Sequence, residues 1–205
     1  MWIYEKQLQY PVKIARPNPR LAGVIITGLG GPDGESGAAM RYLNQRYTMP
    51  DGRVIGILTD VGTEEIGHQE MVASLVYQLT RNLTTDEIIA GGFDKYYAEN
   101  GTGIYPASAP GVPFSAAALA SKDDALANIY EDLAAEQKAR AVYDNLLRLS
   151  DDPDVNDVLK FLRQREVVHF QRFGDILRKT QETLDSKNFY AFNPEYTVCK
   201  NRKKV

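Results

Sequence analysis

The chain contains only two histidines, and each stands three residues after a glutamate, as Glu65-x-x-His68 and Glu166-x-x-His169. On a helix, residues three apart share a face, so each pair can aim a carboxylate and an imidazole at one point. The flanking residues predict those helices. Val54, Leu58, Val61, Glu65, His68, Val72, Leu75 and Leu79 follow alternating spacings of four and three across residues 52–80. That is one continuous stripe facing a bundle core. Val155, Leu159, Leu162, Glu166, His169, Phe173 and Ile176 repeat the pattern after a turn at Asp151-Asp152-Pro153. A carboxylate on such a stripe costs on the order of several kcal/mol unless something pairs with it. Two Glu-x-x-His pairs plus one glutamate from each of two further helices form the ligand set of a dinuclear metal site in a four-helix bundle.

The two further helices are predicted at residues 21–47 and 123–150. The first is interrupted by Gly30-Gly31-Pro32-Asp33-Gly34, which should kink or break it. It supplies Glu35 and, seven residues on, Tyr42. The second carries Leu126, Ile129, Leu133, Glu136, Tyr143 and Leu147 on its stripe. Thr85-Asp86-Glu87 caps a short helix reaching about residue 100. Residues 101–121, rich in Gly, Pro, Ala and Ser, read as the long crossover loop that joins bundle helices that are not antiparallel neighbours. The predicted fold is all-α: a ferritin-like four-helix bundle at 21–184, an extended N-terminal arm at 1–20, and an irregular tail at 185–205. Alternating Trp2, Tyr4, Leu8, Tyr10, Val12 and Ile14 mark the arm, laid over the domain or over a neighbour. The tail is aromatic, then basic, and lacks periodicity.

Composition narrows the function classes. A length of 205 residues suits one domain with a real core, and a formal net charge of -3 gives no reason to expect a nucleic-acid partner. The single cysteine, Cys199, excludes an internal disulfide framework and a thiolate-rich metal site. The N-terminus does not read as a secretory signal, and no apolar run approaches the ~20 residues that span a membrane. Carboxylate and imidazole donors suit manganese or iron.

Blander readings stand beside this one. A lone Glu-x-x-His is most often a surface pair or a satisfied core histidine. Glu35 could be a carboxylate favoured by a helix N-terminus. Glu136 could pair with Arg140 one turn on. Tyr42 could be plain core. Glu64 points off the stripe and reads as solvated. Gly34, Ser36, Gly37, Ala38 and Ala39 around Glu35 are small enough to leave a narrow route for a small oxidant.

Several motifs together resemble the manganese catalases, and most closely their short spore-coat branch. They are Tyr-Glu-Lys-x-Leu-Gln-Tyr at 4–10, Gly-Gly-x-x-Gly-Glu at 30–35, Thr-x-x-Gly-Thr-Glu-Glu-x-x-His at 59–68, Ala-Glu-x-x-Ala-Arg at 135–140 and Arg-Glu-x-x-His at 165–169. The resemblance covers about residues 1–184. It implies Glu35, Glu65, His68, Glu136 and His169 as ligands of two manganese ions per chain, with iron as the alternative metal. It implies Glu166 as a proton donor and acceptor outside the ligand set, and Tyr42 as a catalytic-site tyrosine hydrogen-bonded near Glu35. The implied reaction is disproportionation of hydrogen peroxide to water and dioxygen. The family further implies a homo-oligomer, a hexamer, made in the cytoplasm and placed in the spore coat beside other coat proteins. The sequence departs from longer family members at Ala135, where some carry arginine, and at Gly56, which lacks a carboxylate used for calcium. It also lacks their long C-terminal extension. Two alternatives stay open: a ferritin-like di-iron oxidase, and a structural coat protein with a vestigial metal site.

Overall fold

A computed structural model describes residues 7–99, 101 and 103–186. The expectations for Trp2, Tyr4, Cys199 and the aromatic and basic tail lie outside these residues. The predicted first region is three pieces: α1 (Pro19–Ile25), α2 (Thr27–Gly30) and α3 (Glu35–Gln45). α4 (Gly52–Thr80), a short α5 (Thr85–Ala90), α6 (Ala125–Leu149) and α7 (Pro153–Ser186) follow. No β-strand occurs among the described residues; one isolated bridge joins Ala107 to Pro113. The fold is a ferritin-like four-helix bundle, with α3, α4, α6 and α7 around the core. No helix of the described residues is long and apolar enough to cross a membrane.

The stripes decide the packing. Every residue of the α4 and α7 stripes is buried. On α6 the buried line is rotated slightly from the predicted one: Asn128, Ile129, Asp132, Ala135, Glu136, Ala139, Tyr143 and Leu146 face inward. Leu126, Leu133 and Leu147 are only half-buried. Spacing alone could not fix this rotation, because α6 carries polar groups on its inner face. The apolar core falls into two clusters. One surrounds Ile25, Leu75, Leu79 and Leu159; the other surrounds Leu58, Ile129 and Phe173.

Local signals set the ends. Asn18 caps α1 through Leu21 N, with Pro19 at the first turn. Thr84 and Glu87 form a reciprocal capping box on α5, one residue earlier than predicted. α5 also stops at Ala90, well short of residue 100, with a separate 3-10 turn at Asp94–Tyr96. Gly91-Gly92, with Gly92 at φ 71, ends the helix there.

The crossover spans the gap between that turn and α6. Buried Arg41 ties it to α3, donating to the carbonyls of Leu119 and Ala118 at 2.9 Å each. A second contact of the crossover is at the break in the first helix, where backbone meets backbone. A Cβ on Gly30 would lie 2.2 Å from Ala107 N and from the Pro106 carbonyl carbon. Gly30→Ala therefore forces two backbones apart. It is expected to lower the unfolding free energy by about 1–3 kcal/mol in urea titration.

Between residues 7 and 18 the arm lies on its own bundle. Gln78 brackets it, donating to Val12 O (2.8 Å) and accepting from Ile14 N (2.9 Å). Tyr10 stacks on Phe161 at 5.0 Å and donates to Asp157 at 2.6 Å. These contacts hold the arm to both α4 and α7.

Candidate metal centre

The bundle brings all the predicted site residues to one place. Glu35, Tyr42, Glu65, His68, Glu136, Glu166 and His169 are at most 2 % exposed. α4 and α7 each present their Glu-x-x-His pair at mid-bundle. Glu65, His68, Glu166 and His169 have ligand atoms within 4.8 Å of one another. The two imidazoles stack at 5.5 Å with planes 20° apart. Both turn Nδ1 toward the carboxylates. His68 Nδ1 is 2.7 Å from Glu65 and 3.9 Å from Glu35. His169 Nδ1 is 2.9 Å from Glu65 and 3.6 Å from Glu136. Glu65 thus stands between the two rings.

Five atoms of this group have no hydrogen-bond partner: Glu65 Oε1, Glu136 Oε2, Glu166 Oε1 and both ring nitrogens of His169. Although His169 Nδ1 and Glu65 Oε1 are close, they are not aligned as donor and acceptor. Buried polar atoms are otherwise almost always paired. Oxygen and imidazole donors that are crowded together but not bonded to one another suit divalent cations. Their geometry and chemistry fit a dinuclear metal site.

Two tyrosines brace the outer carboxylates, crosswise. Tyr42 on α3 donates to Glu136 on α6 at 2.5 Å, and Tyr143 on α6 donates to Glu35 on α3. Each tyrosine is seven residues beyond the glutamate of its own helix, and the helices run antiparallel. Each hydroxyl therefore lands on the opposite helix's glutamate. This corrects the expectation that Tyr42 sits near Glu35; the tyrosine there is Tyr143. Glu35 does occupy the first turn of α3, so it also benefits from the helix dipole. Glu136 is not paired with Arg140, which instead reaches Gln137 and Asp144.

Glu64 is not solvated. Its side chain is 10 % exposed and turns under the rings, 3.2 Å from His169 Nε2 and 3.5 Å from His68 Nε2. Arg165 Nε donates to it at 2.6 Å, and a second guanidinium nitrogen at 3.2 Å. One carboxylate thus faces the outer nitrogen of both imidazoles, the arrangement that fixes ring orientation in metal sites. Among the small residues around Glu35, Gly34 is required by packing. A Cβ on Gly34 would lie 2.8 Å from the carbonyl oxygens of Thr27 and Gly28.

The electrostatics follow from crowding. Burial opposes a charge on either imidazole, but Glu65, Glu64 and neighbouring carboxylates outweigh it. They raise His68 to about 10 and, with Glu136, His169 to about 12. Burial and the Glu65 charge push Glu35 up to about 8. Glu65 goes the other way: burial raises it, but both imidazoliums hold it well below the usual carboxylate range. Burial, then the charges of Glu35, Glu136 and Glu65, push Glu166 well up. At pH 7 the metal-free site therefore stores protons on His68, His169 and Glu35. Metal ligation needs neutral imidazole and ionised carboxylate. Manganese uptake at pH 7 is expected to release protons. Affinity should rise with pH, most steeply below about 8, where Glu35 must also deprotonate. Calorimetry in buffers of different ionisation enthalpy measures the release; heats independent of buffer would contradict it.

The family model for manganese containing catalase matches residues 1–191. The chain belongs to the manganese catalase family. It is 50% identical over 190 residues to Protein CotJC of Bacillus subtilis (strain 168), covering 93% of this chain and 100% of that protein. It is 32% identical over 191 residues to a probable manganese catalase of Clostridium acetobutylicum, covering 92% of this chain and 85% of that one. The crystal structure of KatB, a manganese catalase from Anabaena PCC7120, superposes with a TM-score of 0.78 at 29% identity, covering 92% of this chain and 81% of that chain. Family membership makes manganese the metal that this buried carboxylate and imidazole group fits.

Proposed function

We propose that this manganese catalase family member holds two manganese ions and disproportionates hydrogen peroxide to water and dioxygen. The observation that carries the reading is the set of buried, unpartnered ligand atoms on Glu65, Glu136, Glu166 and His169. Glu35, Glu65, His68, Glu136 and His169 would hold the metal. A bound manganese pair supplies the two-electron redox change that the reaction requires.

The protein's own groups supply position and protons. In the overall reaction, one peroxide gives up two electrons and two protons as dioxygen, and the second takes both to become two waters. A group that accepts and returns a proton without leaving the site is therefore needed. Glu166 suits that task, since its buried surroundings favour the protonated form and Oε1 has no other partner. Tyr42 holds Glu136 and Tyr143 holds Glu35, leaving each carboxylate's second oxygen for metal. Glu64 faces the outer nitrogen of both rings, with Nδ1 of each turned inward.

The strong likeness to Protein CotJC supports placing the chain in the spore coat. A second reading draws on the closeness of Glu166 to Glu65 and both imidazoles. With Glu166 as a ligand, the set becomes that of a di-iron oxidase. The deciding experiment is elemental analysis of protein from manganese-supplemented cells, alongside oxygen release from peroxide. A manganese pair with oxygen evolution is the expected result. Manganese without oxygen would favour a structural coat role, and iron the oxidase.

A further inference from the structure

We infer that Gln9, on the N-terminal arm, is a positioning residue for His68, and that docking of the arm completes the metal site. The inference rests on the metal-binding reading above. His68 is fully buried, whereas Gln9 is exposed, so the arm is the layer that covers this imidazole. Gln9 Oε1 lies 3.0 Å from His68 Nε2, on the side of the ring away from Glu65 and Glu35. Glu64 Oε1 faces the same nitrogen at 3.5 Å. An ionised carboxylate only accepts, so Nε2 carries the hydrogen and Gln9 presents its oxygen. With Nε2 committed outward, Nδ1 is the nitrogen left for metal.

The two rings are held differently. Glu64, anchored by Arg165, stands 3.2 Å from His169 Nε2 but 3.5 Å from His68 Nε2. The better acceptor for His68 is therefore the one on the arm. The arm is fixed well enough to serve. Gln78 brackets Val12 and Ile14, Arg81 donates to Ile14 O at 2.9 Å, and Asn18 N donates to Leu79 O at 2.7 Å. Beside Gln9, Tyr10 stacks on Phe161, whose ring meets His68 edge-on at 6.4 Å. Arm, Phe161 and His68 form one packed unit. A change in arm docking therefore reaches the metal through a side chain that no bundle helix supplies.

The test uses the full chain loaded with manganese and then challenged with a chelator, with retained metal followed by elemental analysis. Gln9→Met removes the acceptor at nearly constant length. Gln9→Glu keeps an acceptor oxygen. Removing an outer partner of a ligating histidine weakens metal binding by roughly 10–100-fold. Gln9→Met is expected to lose manganese faster by about that factor and to alter the Mn(II) electron paramagnetic resonance spectrum, whereas Gln9→Glu stays near the parent. Tyr10→Ala, which loosens the arm but leaves Gln9 in place, is expected to resemble Gln9→Met. Equal retention by the parent and Gln9→Met overturns the inference. So does equal loss by the Met and Glu variants, which would trace the effect to arm packing and not to the acceptor. A Tyr10→Ala variant that holds metal like the parent overturns the role of docking. Should the parent itself bind no manganese, the proposed function fails first; a parent that binds alongside an unaffected Gln9→Met sinks this inference alone.

Discussion

Glu166→Gln is expected to keep its manganese and to lose oxygen evolution by about 100-fold or more, the usual weight of a positioned proton-transfer group. Glutamine preserves the shape of the side chain and can still donate a hydrogen bond, but it cannot pass a proton on. The surroundings make this a sharp substitution. Glu166 is 1 % exposed and faces the carboxyl groups of Glu35, Glu136 and Glu65. Burial and those carboxyl groups favour its neutral form, so a neutral amide costs little in stability. Metal content and turnover, measured on the same preparation, separate three outcomes. Normal metal with little turnover supports the proton role. Loss of metal would make Glu166 a ligand, as its 4.8 Å grouping with Glu65 and both histidines permits. Normal metal with full turnover would remove it from the chemistry.

Much of this site was legible because the groups that matter break an otherwise apolar pattern. Glu65, His68, Glu166 and His169 interrupt strict stripes, and α4 and α7 bury those stripes without a change of register. Glu35 was readable from its place directly after a glycine-rich break. What the sequence hid was everything that depends on how helices face one another. Tyr143 stood on its stripe as an apparent core residue, since a phenol satisfies an apolar position as well as phenylalanine does. Only the antiparallel packing of α3 and α6 brings its hydroxyl to Glu35. The same spacing of seven from a glutamate, present at both Tyr42 and Tyr143, was the available signal. Glu64 was misread for a related reason. It lies one position off the stripe, where a carboxylate is normally solvated, but Arg165 on α7 draws it under the rings. Gln9 carried no signal at all, because nothing in an extended arm states which helix it will cross.

Asp132 shows the same limit at the far side of the bundle. It lies one turn before Glu136, fully buried, with neither carboxylate oxygen hydrogen-bonded. Burial pushes its pKa well up, against the nearby Gln45 amide and the charge of Arg41. An apolar-stripe reading of α6 passes over it, since that reading places Leu133 inward and Asp132 beside it. The inner face of α6 is instead shared by the polar groups Asn128, Asp132 and Glu136, which goes with the helix's rotation. The rotation in turn aims Glu136 at His169 and Tyr143 at Glu35. Sequence reasoning that counts only apolar residues will misplace such a helix by a fraction of a turn.

His68→Ala is expected to yield protein without manganese, even from supplemented cells. His68 supplies one of the two imidazoles, and its Nδ1 faces both Glu65 and Glu35. With it gone, those carboxylates crowd a half-empty site with no nitrogen donor on that side. Elemental analysis tests this directly; a variant that still holds the parent's manganese would strike His68 from the ligand set. The metal-free proteins provide a second, independent readout. In the metal-free parent His68 is raised from 6.5 to about 10, so its protonated form stabilises the fold. That contribution is complete below pH 6.5 and is lost as pH rises through about 10. Removing one partner of a buried charged pair costs about 3–5 kcal/mol. At pH 6 the metal-free variant should therefore unfold in less urea than the metal-free parent by an amount of that order. Toward pH 10 the gap should narrow to what packing alone contributes, because the parent's imidazole loses its proton over that range. A gap that stays constant across that range would show that His68 stabilises the metal-free bundle by packing alone, without its charge.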